Sequence, residues 1–272
     1  LMDGRLECGK WQEGSGGEVP GAFRRLELAV GPEGIKALGN ARVAVIGLGA
    51  VGSFAVEALA RSGVGYLRLV DFDIVQASNI NRQIFALSST VGLPKADVAR
   101  ARVLDIFPGC RVDTRLEFFS EETASSILDA PADEPLDFVI DAIDSLLSKV
   151  NLIVACRNRG IPIVTSMGAA DRMDQSAVHV TDISESRNCP LAKHVRKRLH
   201  RRGIFDGVAA VWSSEGPNSE GAAGGESPDA DEEPARGRQR MPLPSMAPIP
   251  GIFGLSAANW VIRGILEKTK VG

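Results

Sequence analysis

The run from Ala41 to Gln83, ARVAVIGLGAVGSFAVEALARSGVGYLRLVDFDIVQASNINRQ, constrains this chain more than any other segment. Its first half reads as a strand over Arg42 to Ile46, a turn carrying Gly47, Gly49 and Gly52, and an apolar helix from Val51 to about Ser62. In that order each glycine has a physical role. Gly47 permits the tight turn, Gly49 lets a phosphate reach the backbone with no Cβ in the way, and Gly52 lets the helix pack closely on the sheet. The helix N-terminus adds unpaired N–H groups and partial positive charge. A second strand, Tyr66 to Val70, ends at Asp71, at about the 20-residue spacing where such folds place a ribose acceptor. A lone GxGxxG is weak evidence and often marks only a packing turn. With strand, helix, second strand and acid in place, it marks a nucleotide site.

The residues after Asp71 narrow the choice of nucleotide. Asp71-Phe72-Asp73 through Ser78-Asn79-Ile80-Asn81-Arg82-Gln83 brings a cation and several amides to the carboxyl edge of the sheet, where open α/β folds bind ligands. A nicotinamide cofactor has little use for those groups there, whereas a nucleoside triphosphate does. The expectation is ATP chemistry rather than hydride transfer.

Further along, strands alternate with helices. Lys95 to Phe107 carries Val98, Ala101 and Leu104 at helical spacing and stops at Pro108-Gly109. Arg111 to Leu116 and Leu136 to Ile140 read as strands, Ser145 to Arg159 as a helix ending at Gly160, and Ile161 to Ser166 as the next strand. Ala177 to Asp182 alternates like an antiparallel edge strand, Pro190 to Arg202 forms a basic helix, and Gly207 to Trp212 is another strand. The fold class expected is α/β: a doubly wound, mostly parallel Rossmann-like sheet with C-terminal antiparallel strands and helices.

The expected organisation is a flexible leader over residues 1–19, an ATP-binding domain over 20–212, a low-complexity insertion over 213–250 and a packing helix over 251–272. Gly, Ser, Pro and acids dominate the insertion, which cannot bury enough apolar surface to order itself. Ile249 to Leu266 is the one membrane candidate. Interrupted by Pro250 and Arg263, it falls short of the roughly 20 apolar residues a span needs and reads as a core or dimer helix. At 272 residues and formal charge -3, any nucleic-acid contact must come from a local patch. The 4 cysteines, Cys8, Cys110, Cys156 and Cys189, form no CxxC, so no zinc is expected. With no signal peptide visible, a reducing cytoplasm is the expected compartment.

The motifs, taken in order, resemble the ubiquitin-activating-type adenylyltransferases, a superfamily that includes the activators of molybdopterin and thiamine sulfur carriers. The resemblance extends through Val91-Gly92-Leu93-Pro94-Lys95 and Asp141-Ala142-Ile143-Asp144-Ser145, and covers about residues 23 to 182. It implies that Arg82 and Lys95 meet the ATP phosphates, that Asp144 holds Mg2+, and that Asp71, supported by Asn79 and Gln83, receives the ribose. It further implies a homodimer in which Arg25, within Phe23-Arg24-Arg25-Leu26-Glu27-Leu28, reaches into the neighbouring subunit's site. Asp73 and Asp141 read as loop acids that bond nearby backbone N–H groups. Cys189 corresponds to the region where some members carry an acceptor thiol, but reads here as a plain loop cysteine, and Cys156 as core.

Within that superfamily, the missing cysteine pairs, the DAIDS form of the acid pair, the VTSMGAA segment and the PLAKHVRKRL helix resemble the tRNA threonylcarbamoyladenosine dehydratase branch. That resemblance implies adenylation of a carboxylate on tRNA followed by dehydrative ring closure. Lys193, Arg196, Lys197, Arg198, Arg201 and Arg202 supply six formal cations in ten residues, the footprint expected of a phosphate-backbone contact. Val195 and Leu199 anchor the inner face. Two alternatives stand beside this reading. One is adenylation of the C-terminal glycine of a ubiquitin-like sulfur-carrier protein, which would then be the partner. The other is a nucleotide-binding scaffold without turnover.

Overall fold

A computed structural model describes residues 21–130, 134–216 and 243–268. The expected leader, and the part of the expected insertion over 217–242, lie outside those residues. Among the described residues, seven strands form one sheet in the order β3-β2-β1-β4-β5-β7-β6. They are β1 (Arg42–Ile46), β2 (Tyr66–Val70), β3 (Arg111–Arg115), β4 (Phe138–Asp141), β5 (Ile163–Ser166), β6 (Val178–Asp182) and β7 (Ala209–Ser213). Pairings are parallel from β3 through to β7, and β6 closes the edge antiparallel to β7. β1 and β4 are neighbours at the centre and buried nearly throughout, so they read as continuous apolar runs rather than alternating ones.

The helices that accompany them are α1 (Arg24–Asn40), α2 (Gly52–Arg61), α3 (Lys95–Ile106), α4 (Ala124–Leu128), α5 (Leu146–Asn158), α6 (Pro190–His200) and α7 (Pro248–Lys268). The pleat divides the core. Val43, Val45, Leu67 and Leu69 face α1, α2, α3 and α7, while Ala44, Ile46, Tyr66 and Val70 face α4, α5 and α6. The short α4 has no counterpart among the elements expected from sequence, because five residues are too few to show a helical period. α1 is broken in two by Gly31, whose φ of 74° precedes Pro32.

Two expectations about the C-terminal third are corrected. Pro250 does not interrupt the last helix. It sits in the first turn of α7, where its missing N–H would have had no intrahelical partner, so α7 runs unbroken for 21 residues. By length and composition alone α7 is long and apolar enough to cross a membrane, but half of its most apolar window is buried inside the fold. Phe253, Ala257, Ala258, Val261 and Ile265 all lie in the core, and Phe138 stacks edge-on against Trp260. α7 crosses the start of α2 so closely that a Cβ on Gly254 would lie 2.2 Å from the Val51 carbonyl oxygen. The ends of the expected insertion are also part of the fold. Ser213 completes β7, the Pro244 carbonyl accepts from Asp171 N–H at 2.8 Å, and the Ser245 carbonyl accepts from Asn81 Nδ2 at 2.8 Å.

Candidate active site

The strand order reverses between β1 and β4, and at their carboxyl ends the chain leaves in opposite directions, opening the crevice in which doubly wound sheets bind ligands. The glycine turn lies there. Gly47 has φ 91° and donates its N–H to the Val70 carbonyl at 2.8 Å. A Cβ on Gly47 would stand 2.7 Å from the Ala142 oxygen, and one on Gly52 would stand 1.8 Å from the Gly47 oxygen. Both are glycines because the protein packs against them. Gly49 differs: the nearest atom to a Cβ there is Gln83 Nε2 at 3.8 Å. That open face, next to the N-terminus of α2, is a cradle a side chain would fill and a phosphate suits.

Asp71 sits beneath the turn, 7% exposed, with Oδ2 accepting from Leu48 N–H at 2.7 Å and Oδ1 from Asp73 N–H at 2.8 Å. Each oxygen keeps a lone pair for a ribose hydroxyl. Burial pushes the Asp71 carboxyl above the ordinary range, against the pull of Lys95 and the two N–H donors. Asp73 is the unexpected member. Its carbonyl accepts from the Lys95 backbone at 3.0 Å, and its carboxylate holds the buried Lys95 Nζ at 2.9 Å. The crossover loop is folded tightly enough to present these groups: Val75 N–H reaches Leu93 O and Gly92 N–H reaches Val75 O. Asn79 Oδ1 caps the Gln76 N–H at 3.0 Å, and Ile84 N–H ties the loop to Ser53 Oγ on α2 at 3.3 Å. Arg82 is half-buried, and its Nη1 donates to the Ser78 carbonyl and Asn81 Oδ1.

Across the crevice, β4 delivers Asp141 and the following turn delivers Asp144. Asp144 is exposed at the mouth. Asp141 is wholly buried, with Oδ1 accepting from Ile143 N–H at 3.0 Å and Oδ2 accepting from Lys149 Nζ at 2.8 Å and Thr165 Oγ1 at 2.5 Å. The bond to nearby backbone is the one expected of Asp141, but the sequence does not disclose Lys149 and Thr165 as its partners.

The remaining candidates lie elsewhere. Arg25 is exposed two residues past Phe23, which packs edge-on to Phe107 with ring centroids 4.9 Å apart and lies beside Gly63. Both neighbours sit at the amino edge, so Arg25 stands near the edge of the sheet opposite the glycine turn. α6 buries Ala192, Val195 and Leu199 as its spacing required. It starts at the carboxyl edge, where Cys189 Sγ lies 3.7 Å from the position a Cβ on Gly168 would take. It then runs toward the amino edge, so Lys193, in its first turn, is the α6 cation at the carboxyl-edge end of the helix.

The six cations are not equivalent. Arg196 is tied into the fold, its Nη1 donating to the Ser186 carbonyl at 2.7 Å and to Ser186 Oγ. Arg202 Nη1 donates to Asn151 Oδ1 at 2.8 Å. Lys193, Lys197 and Arg201 are exposed and Arg198 is half-buried. Cys189 is buried, as are Cys110 and Cys156. Burial pushes the Cys110 thiol up to about 12 and raises Cys156 as well.

This geometry agrees with what the chain is similar to. Residues 23–271 match the profile described as the ThiF family. The chain belongs to the ThiF family. Among ThiF-related proteins, it is 43% identical over 249 residues to the tRNA threonylcarbamoyladenosine dehydratase of Bacillus subtilis, covering 92% of this chain and 96% of that protein. The crystal structure of the Escherichia coli tRNA N6-threonylcarbamoyladenosine dehydratase in complex with ATP superposes with a TM-score of 0.78 at 31% identity, over 92% of this chain and 95% of that one. The AMP complex of the same protein gives 0.79 at 31% identity, over 94% and 99%.

Proposed function

We propose that this chain is an ATP-dependent tRNA threonylcarbamoyladenosine dehydratase. The near full-length similarity to the Bacillus subtilis dehydratase carries this reading, and the donor set around the glycine turn supports it. The carboxylate of the threonylcarbamoyl group attacks the α-phosphorus of ATP and pyrophosphate leaves. A nucleophile tethered in the same modified base then closes the ring and releases AMP. Because that second step is intramolecular, it has a high effective concentration and needs no enzyme thiol. The buried state of Cys189 accords with this.

Both reactants in the first step are anionic, so the residues must supply positive charge and hold the groups in line. Lys95 is buried with its ammonium held by Asp73, which supports a role in meeting the ATP phosphates. Arg82 engages its neighbours through Nη1, and its planar fork suits phosphate oxygens. Asp71 takes the ribose, supported by the buried amides Asn79, which caps the crossover loop, and Gln83, whose Nε2 borders the open face of Gly49. Asp144 would hold Mg2+, which neutralises phosphate charge when bound and is satisfied by one or two carboxylates plus phosphate oxygens. Arg25, remote from its own turn, serves the site of a second subunit in a homodimer. Lys193, Lys197, Arg198 and Arg201 offer the tRNA backbone a charged face.

The test is pyrophosphate release from ATP with bulk tRNA bearing threonylcarbamoyladenosine, set against candidate sulfur-carrier proteins ending in glycine. Release that depends on the modified tRNA is expected. Release that depends on a carrier tail would replace this reading with the sulfur-carrier alternative.

A further inference from the structure

Lys149, Asp141 and Thr165 are completely buried, and adenylation uses none of them directly. An ion pair removed from water costs desolvation that its attraction does not dependably repay, and apolar residues of similar volume often serve stability as well or better. Stability is therefore a poor account of why a lysine lies at the centre of this fold. What the group touches is more informative. Asp141 uses Oδ1 on the Ile143 N–H of the next turn and Oδ2 on Lys149 from α5 and Thr165 from β5; Lys149 Nζ also reaches Thr165 Oγ1 at 3.3 Å. Three elements thus converge on one carboxylate. The turn it holds is the one packed on the nucleotide cradle, since a Cβ on Gly47 would meet the Ala142 oxygen at 2.7 Å and Ile143 N at 3.1 Å. Asp144 is the next residue out.

We infer that Lys149, Asp141 and Thr165 form a positioning set that clamps the Ala142–Ile143 turn against Gly47 and so fixes where Asp144 stands relative to a bound metal–nucleotide. The inference rests on the reading of Asp144 as the residue that holds Mg2+. Lys149 sets its ammonium against the Asp141 carboxylate, which accepts three donors at once, and Thr165 fixes which way that carboxylate faces.

The experiment is calorimetric titration of ATP into the full chain with and without Mg2+, together with the thermal midpoint of each variant. Asp144→Asn, Lys149→Met, Thr165→Val and Thr165→Ser are compared. Residues that orient a metal ligand from behind typically change metal affinity about 10- to 100-fold. Lys149→Met and Thr165→Val are expected to lose about that much of the Mg2+-dependent gain in ATP affinity, with Mg2+-free affinity unchanged. Thr165→Ser, which keeps the hydroxyl, is expected to retain the gain. If Lys149→Met does not fold, the Thr165 pair decides alone. A full Mg2+-dependent gain in Thr165→Val and in folded Lys149→Met, while Asp144→Asn has lost it, would overturn the positioning role and leave a core ion pair. A full gain in Asp144→Asn would overturn the reading of Asp144 itself and this inference with it.

Discussion

At the β1/β4 junction, Asp71, Asn79, Gln83, Lys95 and Asp141 are all buried. At α6 and its C-terminal end, Lys193 and Arg201 are exposed, whereas Arg196 is tied into the fold and the exposed Arg202 still bonds Asn151. The two regions would both meet phosphates, yet they are built for different work. At the junction the cost of desolvating and orienting charge has been met during folding, so a group there that meets a ligand would act in a low dielectric and over a short distance. The helix can offer only a salt-screened attraction spread over many phosphates. On the proposed function, chemistry would belong to the first region and steering to the second.

The largest expected effect tests the junction. Lys95→Ala and Arg82→Ala should fold normally and lose ~10^2 to 10^3 in the adenylation rate, the usual consequence of removing one preorganised donor to a transition state. ATP–pyrophosphate exchange measures it, and wild-type exchange in both variants would remove the distinction between the regions. Close behind come the glycines. Gly52→Ala forces a Cβ into the Gly47 carbonyl and should destabilise the protein by about 1–3 kcal/mol in thermal or urea unfolding. Gly49→Ala should leave stability intact and weaken ATP binding, because its Cβ enters only the space a phosphate would take.

An effect of similar size separates the cations of α6. Arg196→Ala breaks charge-assisted bonds to the Ser186 carbonyl and hydroxyl and should cost about 1.5–3 kcal/mol of stability in urea unfolding. Replacing Lys193, Arg198 and Arg201 by Gln should leave stability and ATP affinity alone. It should flatten the slope of log tRNA affinity against log salt by ~0.7 to 0.9 for each phosphate that is no longer neutralised. An unchanged slope would make α6 an ordinary solvated face.

The pH dependence sharpens the same contrast. Asp71 is raised by burial, so lowering the pH protonates it above the ordinary carboxylate range and should weaken ATP binding. Protonation of a raised acid favours the folded state, so Asp71 does not drive unfolding there. Glu57 and Asp113 are also pulled up by burial, but their arginine partners outweigh it and leave both lowered. Their contribution to stability is present above the unfolded value and is lost only as pH falls through the lower folded one. ATP affinity followed by calorimetry should therefore decline at a pH where circular dichroism still reports a folded protein.

The difference between the regions also explains what could be read from the chain. In the glycine turn, spacing and stereochemistry leave few solutions: Gly47, Gly52 and Asp71 each answer a backbone constraint that a linear pattern displays. The same holds for β1 and β2, whose bounds are those expected from sequence. A cluster of cations carries no such constraint. Nothing local distinguishes Arg196, which turns back to Ser186, from Arg198, because their difference lies in the path of a preceding loop. Lys149 and Thr165 are illegible for a related reason. Their partner Asp141 comes from another element, and long-range pairing leaves no period in the sequence. Pro250 misleads because the effect of a proline depends on its position in the helix, and in the first turn it is harmless.

The central claim is that the junction performs adenylation on a carboxylate carried by tRNA, and isotope transfer tests it most directly. With oxygen-18 in the carboxylate of threonylcarbamoyladenosine on tRNA, attack on the α-phosphorus followed by ring closure should place one labelled oxygen in AMP. The recovered nucleoside should be lighter by one water. Label found in the phosphate released from the γ-position, or retained wholly in the nucleoside while ATP is consumed, would contradict the account.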